Sequence, residues 1–156
     1  GRQVILTPIA ATGAEQLKLA REVWRALGSK VREMKPDAHD AAFAVVSHLP
    51  HALAFSLING IIHQPDGQEF LSLGGPGFRD FTRIAAGDPK VWRDILLANK
   101  KEVLAQAEHF RNALLALELL LRENKGDALE ALIRHASQTR RAWSMNDWNQ
   151  PTEENP

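Results

Sequence analysis

The composition of this chain is that of a globular protein and excludes several classes of function. Its 156 residues are 44% hydrophobic and 24% charged, enough for one domain with a core. Nineteen basic residues balance nineteen acidic ones, which argues against a nucleic acid or an anionic membrane as partner of the surface. The absence of cysteine excludes disulfides, thiolate metal sites and a cysteine nucleophile.

The N-terminal segment predicts a strand, a helix and a second strand. Residues 4–6 are apolar, and a helix capped at residue 12 or 13 runs to about residue 27. Residues 30–34 alternate between polar and apolar side chains. Gly28 is a typical helix stop. Because two strands make a poor sheet, we expect this βαβ-sized unit to be the edge of a larger α/β domain. The chain also starts at Gly1 rather than Met, so we expect a piece of a longer protein.

One long helix is predicted next, from Pro36 to about His63, ending in the turn of residues 64–67. Pro50 has no N–H for the carbonyl of Val46, so the helix should kink or open there. The apolar runs of the chain look too short and too interrupted to span a bilayer, and no signal peptide is recognised. We therefore predict a cytoplasmic protein without a membrane partner.

A polar stripe on this helix is the first candidate site. At roughly 100° per residue, Asp40, Ser47 and His51 fall on one side, whereas His39 and His48 point elsewhere. A buried polar group without a partner costs about 1–3 kcal/mol, so the stripe suggests a polar ligand. The alternative is that each of these groups is satisfied within the protein. The spacing does not match a metal-binding helix motif, and no metal is predicted.

A glycine-rich segment follows at residues 74–77. It lacks the Gly-Lys-Ser/Thr sequence of a phosphate-binding loop, so a close approach of backbone to a ligand is the more plausible role. Asp80 and Arg83 are three residues apart and could pair on a helical turn. The alternative for Arg79 and Arg83 is a solvated surface.

Asp88-Pro89 is a strong helix start, and no breaker follows before Gly126, which predicts one helix roughly 50 Å long. Residues 113–121 are apolar on nearly every side and must be covered all round. Either several helices of one bundle or a second subunit must cover them, and we predict a homodimer.

A capping-box-like start at Asp127 predicts a last helix to about Trp143. Residues 144–156 are polar and are predicted to be a flexible tail.

Three blocks of this sequence resemble the prephenate dehydrogenase family, which includes the arogenate and cyclohexadienyl dehydrogenases of tyrosine biosynthesis. The blocks are Val4-Ile5-Leu6-Thr7-Pro8, His39-Asp40 through Ser47-His48-Leu49-Pro50-His51, and Gly77-Phe78-Arg79-Asp80-Phe81-Thr82-Arg83-Ile84-Ala85 with Asp88-Pro89 and Trp92. Their order and spacing agree with the family across residues 1–143.

The resemblance implies a mainly α fold. Residues 1–35 would be the end of a nucleotide-binding Rossmann domain, and residues 36–143 a helical dimerisation and substrate-binding domain of the prephenate dehydrogenase type. The family oxidatively decarboxylates prephenate to 4-hydroxyphenylpyruvate with NAD or NADP. The sequence does not choose between prephenate and arogenate, between NAD and NADP, or for or against inhibition by tyrosine.

The resemblance also carries site residues onto this chain. Arg83 matches an arginine that binds a substrate carboxylate, a task that suits a guanidinium because it can form two parallel hydrogen bonds. The other matched substrate-site positions are Ser47, His51, Asp80 and Trp92, the last reaching the pocket from the partner subunit. Structural or supporting roles fall to Asp40, His48 and Gly77.

This chain departs from the family in lacking the Gly-x-Gly-x-x-Gly loop and the catalytic histidine of the nucleotide domain, so no catalytic residue is assigned and the chain alone should be inactive. Pro76, a smaller departure, stiffens the glycine segment. Two other functions stay open. One is a cofactor-free helical enzyme acting on a cyclic dicarboxylate, as chorismate mutases do, and the other is a pure dimerisation or regulatory module.

Overall fold

The fold begins with the predicted strand–helix–strand unit. A computed structural model describes residues 1–144, in which β1 is Gln3–Leu6, α1 is Ala14–Ala26 and β2 is Lys30–Glu33. The two strands pair in parallel, with Val4 opposite Val31. An ion pair of 2.5 Å between Arg21 and Glu33 joins α1 to β2. Gly28 has a φ of +79°, the left-handed conformation expected of a glycine that ends a helix.

Three helical segments then follow one another without a break: α2 at Pro36–Phe43, a π-helical segment at Ala44–His48, and α3 at Leu49–Ile62. In the π segment the N–H of Leu49 donates to the carbonyl of Ala44, five residues back. The predicted opening beside Pro50 is therefore present. It takes the form of a wider turn just before the proline, which has no N–H to continue the α-helical pattern.

The combined helix corrects one expectation from the sequence. Residues 36–62 form a helix of 27 residues with a mean hydropathy of 1.6 over its most apolar stretch, so by length and composition it could cross a bilayer. The judgement that the apolar runs are too short was wrong, because the histidines and Asp40 interrupt the run without ending the helix. A single helix of this kind is weak evidence for a membrane, since the core helices of soluble proteins pass the same test.

Short helices pack on α3. These are α4 at Gly67–Ser72, α5 at Pro76–Thr82 and a 3₁₀ segment at Arg83–Ala86. Gly67 is buried against the backbone of Ile61, where a Cβ would come within 3.0 Å of the Ile61 carbonyl carbon. The residues around the glycine-rich segment are thereby fixed to the helix that carries the polar stripe.

The prediction of a single helix from Asp88 to Gly126 is wrong in one respect, because Asn99 interrupts that helix. The helix α6 spans Pro89–Ala98 and α7 spans Lys100–Arg122. Asn99 has φ −105° and ψ 28°, outside the helical range, and its side chain bonds to α2 and to the π segment. Asparagine has a low helix propensity because its side chain competes for backbone partners.

The last helix, α8, spans Gly126–Ala142 and follows Asn124, which has a φ of 52°. Its end agrees with the prediction. Its start does not, because Lys125 is the N-cap and Asp127 lies inside the first turn. The predicted tail lies outside the described residues, apart from Ser144.

The chain divides into two compact units, Gly1–Glu108 and His109–Pro156. Among residues 1–144 the buried apolar residues are few, and all lie in the first unit: Ala44, Ala54 and Val103. In the described part of the second unit, large apolar side chains remain exposed: Phe110, Leu114, Leu115, Leu119, Leu121, Leu132, Ile133 and Trp143. The mainly α fold class is confirmed, and the predicted domain boundary after residue 35 stays a prediction.

Candidate functional site

The candidate site is built around an aromatic cluster between α3 and α6. The imidazole of His51 stacks on the indole of Trp92, with centroids 3.6 Å apart and an angle of 21° between the planes. Phe55 and His48 approach the same indole edge-on, at centroid distances of 6.1 Å and 6.5 Å. His48, His51 and Phe55 all belong to the long helix of residues 36–62.

Local structure fixes Trp92. The carboxylate of Asp88 accepts hydrogen bonds of 2.9 Å from the N–H groups of Lys90 and Val91, so the start of α6 is capped. The indole lies against Gly87, where a Cβ would be 2.6 Å from Trp92 Cδ1. A side chain at residue 87 would therefore displace the indole from its present position.

His51 has a defined hydrogen-bonding role. Its Nδ1 lies 2.9 Å from the carbonyl oxygen of Ser47. A carbonyl only accepts, so Nδ1 carries a proton. In the neutral ring, Nε2 is then the acceptor and remains available for a ligand.

Asn99 links this cluster to α2. Its amide Nδ2 donates to the carbonyl oxygen of Asp40 at 2.8 Å and lies 3.1 Å from Nδ1 of His48. The side chain is buried, with 9% of its surface exposed. One amide nitrogen has two protons, so it can serve both partners at once. Nδ1 of His48 then accepts, which leaves the proton of the neutral ring on Nε2.

The protein environment lowers the pKa of His48 below its ordinary value of 6.5. Burial of the ring is the main cause, because it disfavours the charged form. Repulsion from His39 and His51 acts in the same direction, and attraction to Asp40 opposes it. His48 is therefore neutral at pH 7, as its acceptance of a hydrogen bond from Asn99 requires.

The predicted stripe of Asp40, Ser47 and His51 is altered by the π segment. A turn that holds one extra residue rotates the later part of the helix by roughly 100°, so His48 reaches the side on which Asn99 binds the Asp40 carbonyl. The expectation that His48 points elsewhere was wrong for this reason. The Asp40 carboxylate instead bonds Nδ1 of His39, at 3.0 Å.

Asp80 and Arg83 lie on the surface of the elements that pack on α3. The carboxylate of Asp80 lies 3.3 Å from the guanidinium of Arg79. Both side chains are more than 70% exposed, so this ion pair contributes little to stability. The suggested pair of Asp80 with Arg83 is not formed. Arg83 begins the 3₁₀ segment, is exposed, and makes no ion pair among residues 1–144. A Cβ on Gly77 would meet no atom within 4 Å, so crowding within the chain does not require glycine there.

The expectation that Trp92 reaches the pocket from the partner subunit stays a prediction. The Trp92 indole already lies on His51 of the same chain, so no second subunit is needed to bring the two rings together. Three contributors were missed from the sequence: Phe55, Gly87 and Asn99. Asn99 gave the clearest signal, as a polar residue of low helix propensity inside an otherwise unbroken helical pattern.

A cavity of 420 Å³ has Asn99 in its wall. It is lined by Asp37, Asp40, Leu97, Ala98, Asn99, Lys100, Lys101 and Glu102. Its charged groups are of both signs. Across residues 1–144, no three His, Asp or Glu side chains gather closely enough to hold a metal ion.

Comparison with known proteins identifies the family. The sequence profile described as "Prephenate dehydrogenase, dimerization domain" matches residues 35–135, about two thirds of the chain. The matched segment contains the aromatic cluster, Asn99 and Arg83.

Individual relatives agree with this match. The cyclohexadienyl dehydrogenase of Zymomonas mobilis is 32% identical over 89% of this chain and 47% of its own length. A prephenate dehydrogenase of Aquifex aeolicus, solved in complex with hydroxyphenyl propionate and NAD+, is 42% identical with a TM-score of 0.82, over 89% of this chain and 49% of its own. The arogenate dehydrogenase of Synechocystis is 30% identical with a TM-score of 0.78, over 89% and 51%.

This chain thus spans about half the length of the relatives that it matches. The profile covers most of the helical part, and the two solved relatives share its fold at 42% and 30% identity. The chain therefore belongs to the family of the prephenate dehydrogenase dimerization domain.

Proposed function

We propose that this chain is the substrate-binding and dimer-forming half of an NAD(P)-dependent dehydrogenase that acts on prephenate or arogenate. The observation that carries the proposal is the stack of His51 on Trp92, next to His48 and Asn99, within the segment that matches the family. In the proposed reaction, hydride passes from the substrate ring to the nicotinamide, the ring carboxylate leaves as carbon dioxide, and the ring becomes aromatic.

Arg83 is the proposed ligand of a substrate carboxylate. Its guanidinium is exposed and makes no ion pair among residues 1–144, so it is available to an incoming anion. The 3₁₀ segment that begins with Arg83 packs on α3, the helix that carries His51. Prephenate has two carboxylates, and a guanidinium can hold either of them through two parallel hydrogen bonds.

His51 and Trp92 are proposed to orient the substrate. The indole provides an apolar surface for a six-membered ring, and His51 offers Nε2 as an acceptor because Nδ1 is bonded to Ser47. Asp80, which lies beside Arg79 at the surface, is proposed to lie near the pocket mouth. The supporting positions Asp40 and Gly77 keep the roles that the resemblance implies.

The nicotinamide cofactor, NAD or NADP, is proposed to bind mainly outside this chain. When bound, it supplies the hydride acceptor. The loop after β1 in this chain, residues 7–13, has a single glycine and does not provide a glycine-rich phosphate-binding turn. The β1–α1–β2 unit fits the edge of a nucleotide-binding sheet, because a two-stranded parallel sheet is not stable alone.

A homodimer is proposed because the large apolar side chains of the second unit are incompletely buried in the single chain. The helices of the second unit expose leucines and aromatic residues, which a second copy of this chain would cover. The proposed enzyme is cytoplasmic, with neither nucleic acid nor a membrane as a partner. Whether tyrosine inhibits it is a separate question for direct assay.

The proposal can be tested by replacing Arg83 with alanine in the full-length parent protein. We expect KM for prephenate to rise about 30-fold, which corresponds to the loss of about 2 kcal/mol for hydrogen bonds to a charged group. The measurement is NADH formation at varied prephenate. Arg79→Ala is the matched control, because the side chain of Arg79 is exposed and pairs with the adjacent Asp80, so its loss should leave KM within about twofold.

Three outcomes would contradict the proposal. An unchanged KM in Arg83→Ala would remove Arg83 from substrate binding. Turnover of a cyclic dicarboxylate by the 156-residue chain without any nicotinamide would favour the cofactor-free, chorismate mutase-like alternative. A dimer that binds neither prephenate nor arogenate would favour a dimerisation or regulatory module.

A further inference from the structure

We infer that Asn99 is a positioning residue, which fixes the proton of His48 on Nε2 and so gives the site two histidines in opposite tautomers. In this arrangement His48 offers an N–H donor and His51 offers an acceptor nitrogen, and both rings contact the indole of Trp92. The significance for catalysis rests on the proposed function, whereas the tautomers themselves do not.

The orientation of the Asn99 amide follows from its first partner. The carbonyl oxygen of Asp40 can only accept, so the group that faces it at 2.8 Å must be the NH₂ and not the amide oxygen. The second proton of the same nitrogen is directed to Nδ1 of His48 at 3.1 Å. Nδ1 must then be unprotonated.

The placement of Asn99 supports a positioning role. The residue is buried and leaves the helical range of φ and ψ at the junction of α6 and α7, while its N–H still donates to Ile95 and its carbonyl accepts from Val103. A side chain that only filled space would not need an amide at this position. Asn99 contacts a histidine 51 residues away along the chain, so it also ties the α6–α7 junction to the π segment.

The charged and titratable surroundings of His48 are compatible with a neutral ring. His39 and His51 disfavour its protonation, and Asp40 favours it. From the opposite side, Asn99 and Trp92 contact the ring and neither of them titrates. Asn99 is therefore the group that selects between the two neutral tautomers.

The test is nitrogen NMR of the full-length parent protein labelled with ¹⁵N-histidine, without substrate or cofactor. His48→Gln identifies the signals of His48. We expect the wild-type protein at neutral pH to show an unprotonated Nδ1 and a protonated Nε2 at His48, and the reverse at His51. In Asn99→Asp, a carboxylate replaces the donor, so Nδ1 of His48 should become protonated and its titration midpoint should rise by about one pH unit or more.

The matched control is Asn59→Asp. Asn59 also donates from Nδ2 to a carbonyl, that of Phe55 at 2.9 Å, but it lies on the exposed side of α3. This variant should leave the tautomer of His48 unchanged and move its midpoint by less than about 0.3 pH units.

A protonated Nδ1 at His48 in the wild-type protein would overturn the inference, and this result requires no variant to fold. An unchanged His48 spectrum in folded Asn99→Asp would overturn it too. Failure of the wild-type protein to oxidise prephenate or arogenate would contradict the proposed function and leave the NMR result standing, so the two failures can be told apart.

Discussion

At the scale of single residues, His48 and His51 show how a few contacts give one residue type two different roles. His51 donates from Nδ1 to the backbone of its own helix, whereas His48 accepts at Nδ1 from Asn99. Burial also lowers the pKa of His48. The hydrogen bond and the burial act in the same direction, because both favour the neutral ring.

This environment predicts how stability depends on pH. An unfolded histidine titrates near 6.5, and folded His48 titrates lower, so below pH 6.5 the unfolded state binds more protons. The free energy of unfolding should therefore fall as pH drops through 6.5 towards the folded pKa, with a slope of up to about 1.4 kcal/mol per pH unit from this group. Above pH 6.5 the contribution is constant. Urea denaturation between about pH 5 and pH 8, in roughly half-unit steps, measures it.

His48→Gln should remove this part of the slope. His109→Gln is the control, because His109 is exposed and takes no part in the aromatic cluster. If both variants show the same pH dependence as the wild-type protein, the folded environment of His48 does not disfavour its charge.

At the scale of elements, the site depends on how the helices begin and where they are interrupted. The π segment at Ala44–His48 turns His48 towards Asn99, and Asp88 caps the helix that carries Trp92. Both features determine the direction in which the rings of the cluster face.

The cap at Asp88 gives a prediction for stability. Asp88→Ala removes the acceptor of two backbone N–H groups and should lower the free energy of unfolding by about 1 kcal/mol. Thermal denaturation followed by circular dichroism measures this change. Trp92 fluorescence should also shift, because the first turn of α6 holds the indole on His51.

Asp94→Ala is the control in the same helix. Asp94 forms an exposed pair with Arg93, which should contribute less than about 0.5 kcal/mol. Equal losses in the two variants would mean that the cap has no special role.

At the scale of the whole molecule, this chain exposes more large apolar side chains than is usual for a stable monomer. Leu114, Leu115 and Leu119 are all more than 40% exposed on α7, and Ile133 is 55% exposed on α8. Each unit has few buried apolar residues of its own among residues 1–144. Burial against a second copy would supply the missing stabilisation.

The proposed dimer predicts a change of mass for a charged substitution. In the single chain, Leu115 is 59% exposed and has exposed apolar neighbours on α7. Leu115→Glu places a carboxylate among them. We expect a dimer to dissociate to monomers at micromolar concentration, because an unpaired charge buried in an interface costs several kcal/mol. Sedimentation velocity measures the mass. Lys101→Glu, a substitution at a side chain that is 92% exposed in the first turn of α7, should leave the dimer intact.

A wild-type protein that sediments as a monomer at tens of micromolar would refute the dimer. A dimer unaffected by Leu115→Glu would show that this face of α7 lies outside the interface.

The sequence by itself determined the N-terminal strand–helix–strand unit and the longer helices, apart from the break at Asn99, because hydrophobic periodicity, helix caps and glycine stops are local signals. The parallel strand pair, the end of α1 at Gly28 and the start of α6 at Asp88 all follow from such signals. The family blocks could likewise be read from sequence, since they depend on residue order alone.

Only the tertiary structure decided which polar groups meet. The extra residue in the π turn changes the helical phase, so His48 reaches the Asp40–Asn99 contact where a regular helix would direct it away. Asn99 breaks a helix that its neighbours would continue, because its amide finds partners 51 and 59 residues away. Contacts at such separations depend on packing between elements, and the local pattern of the sequence does not contain them.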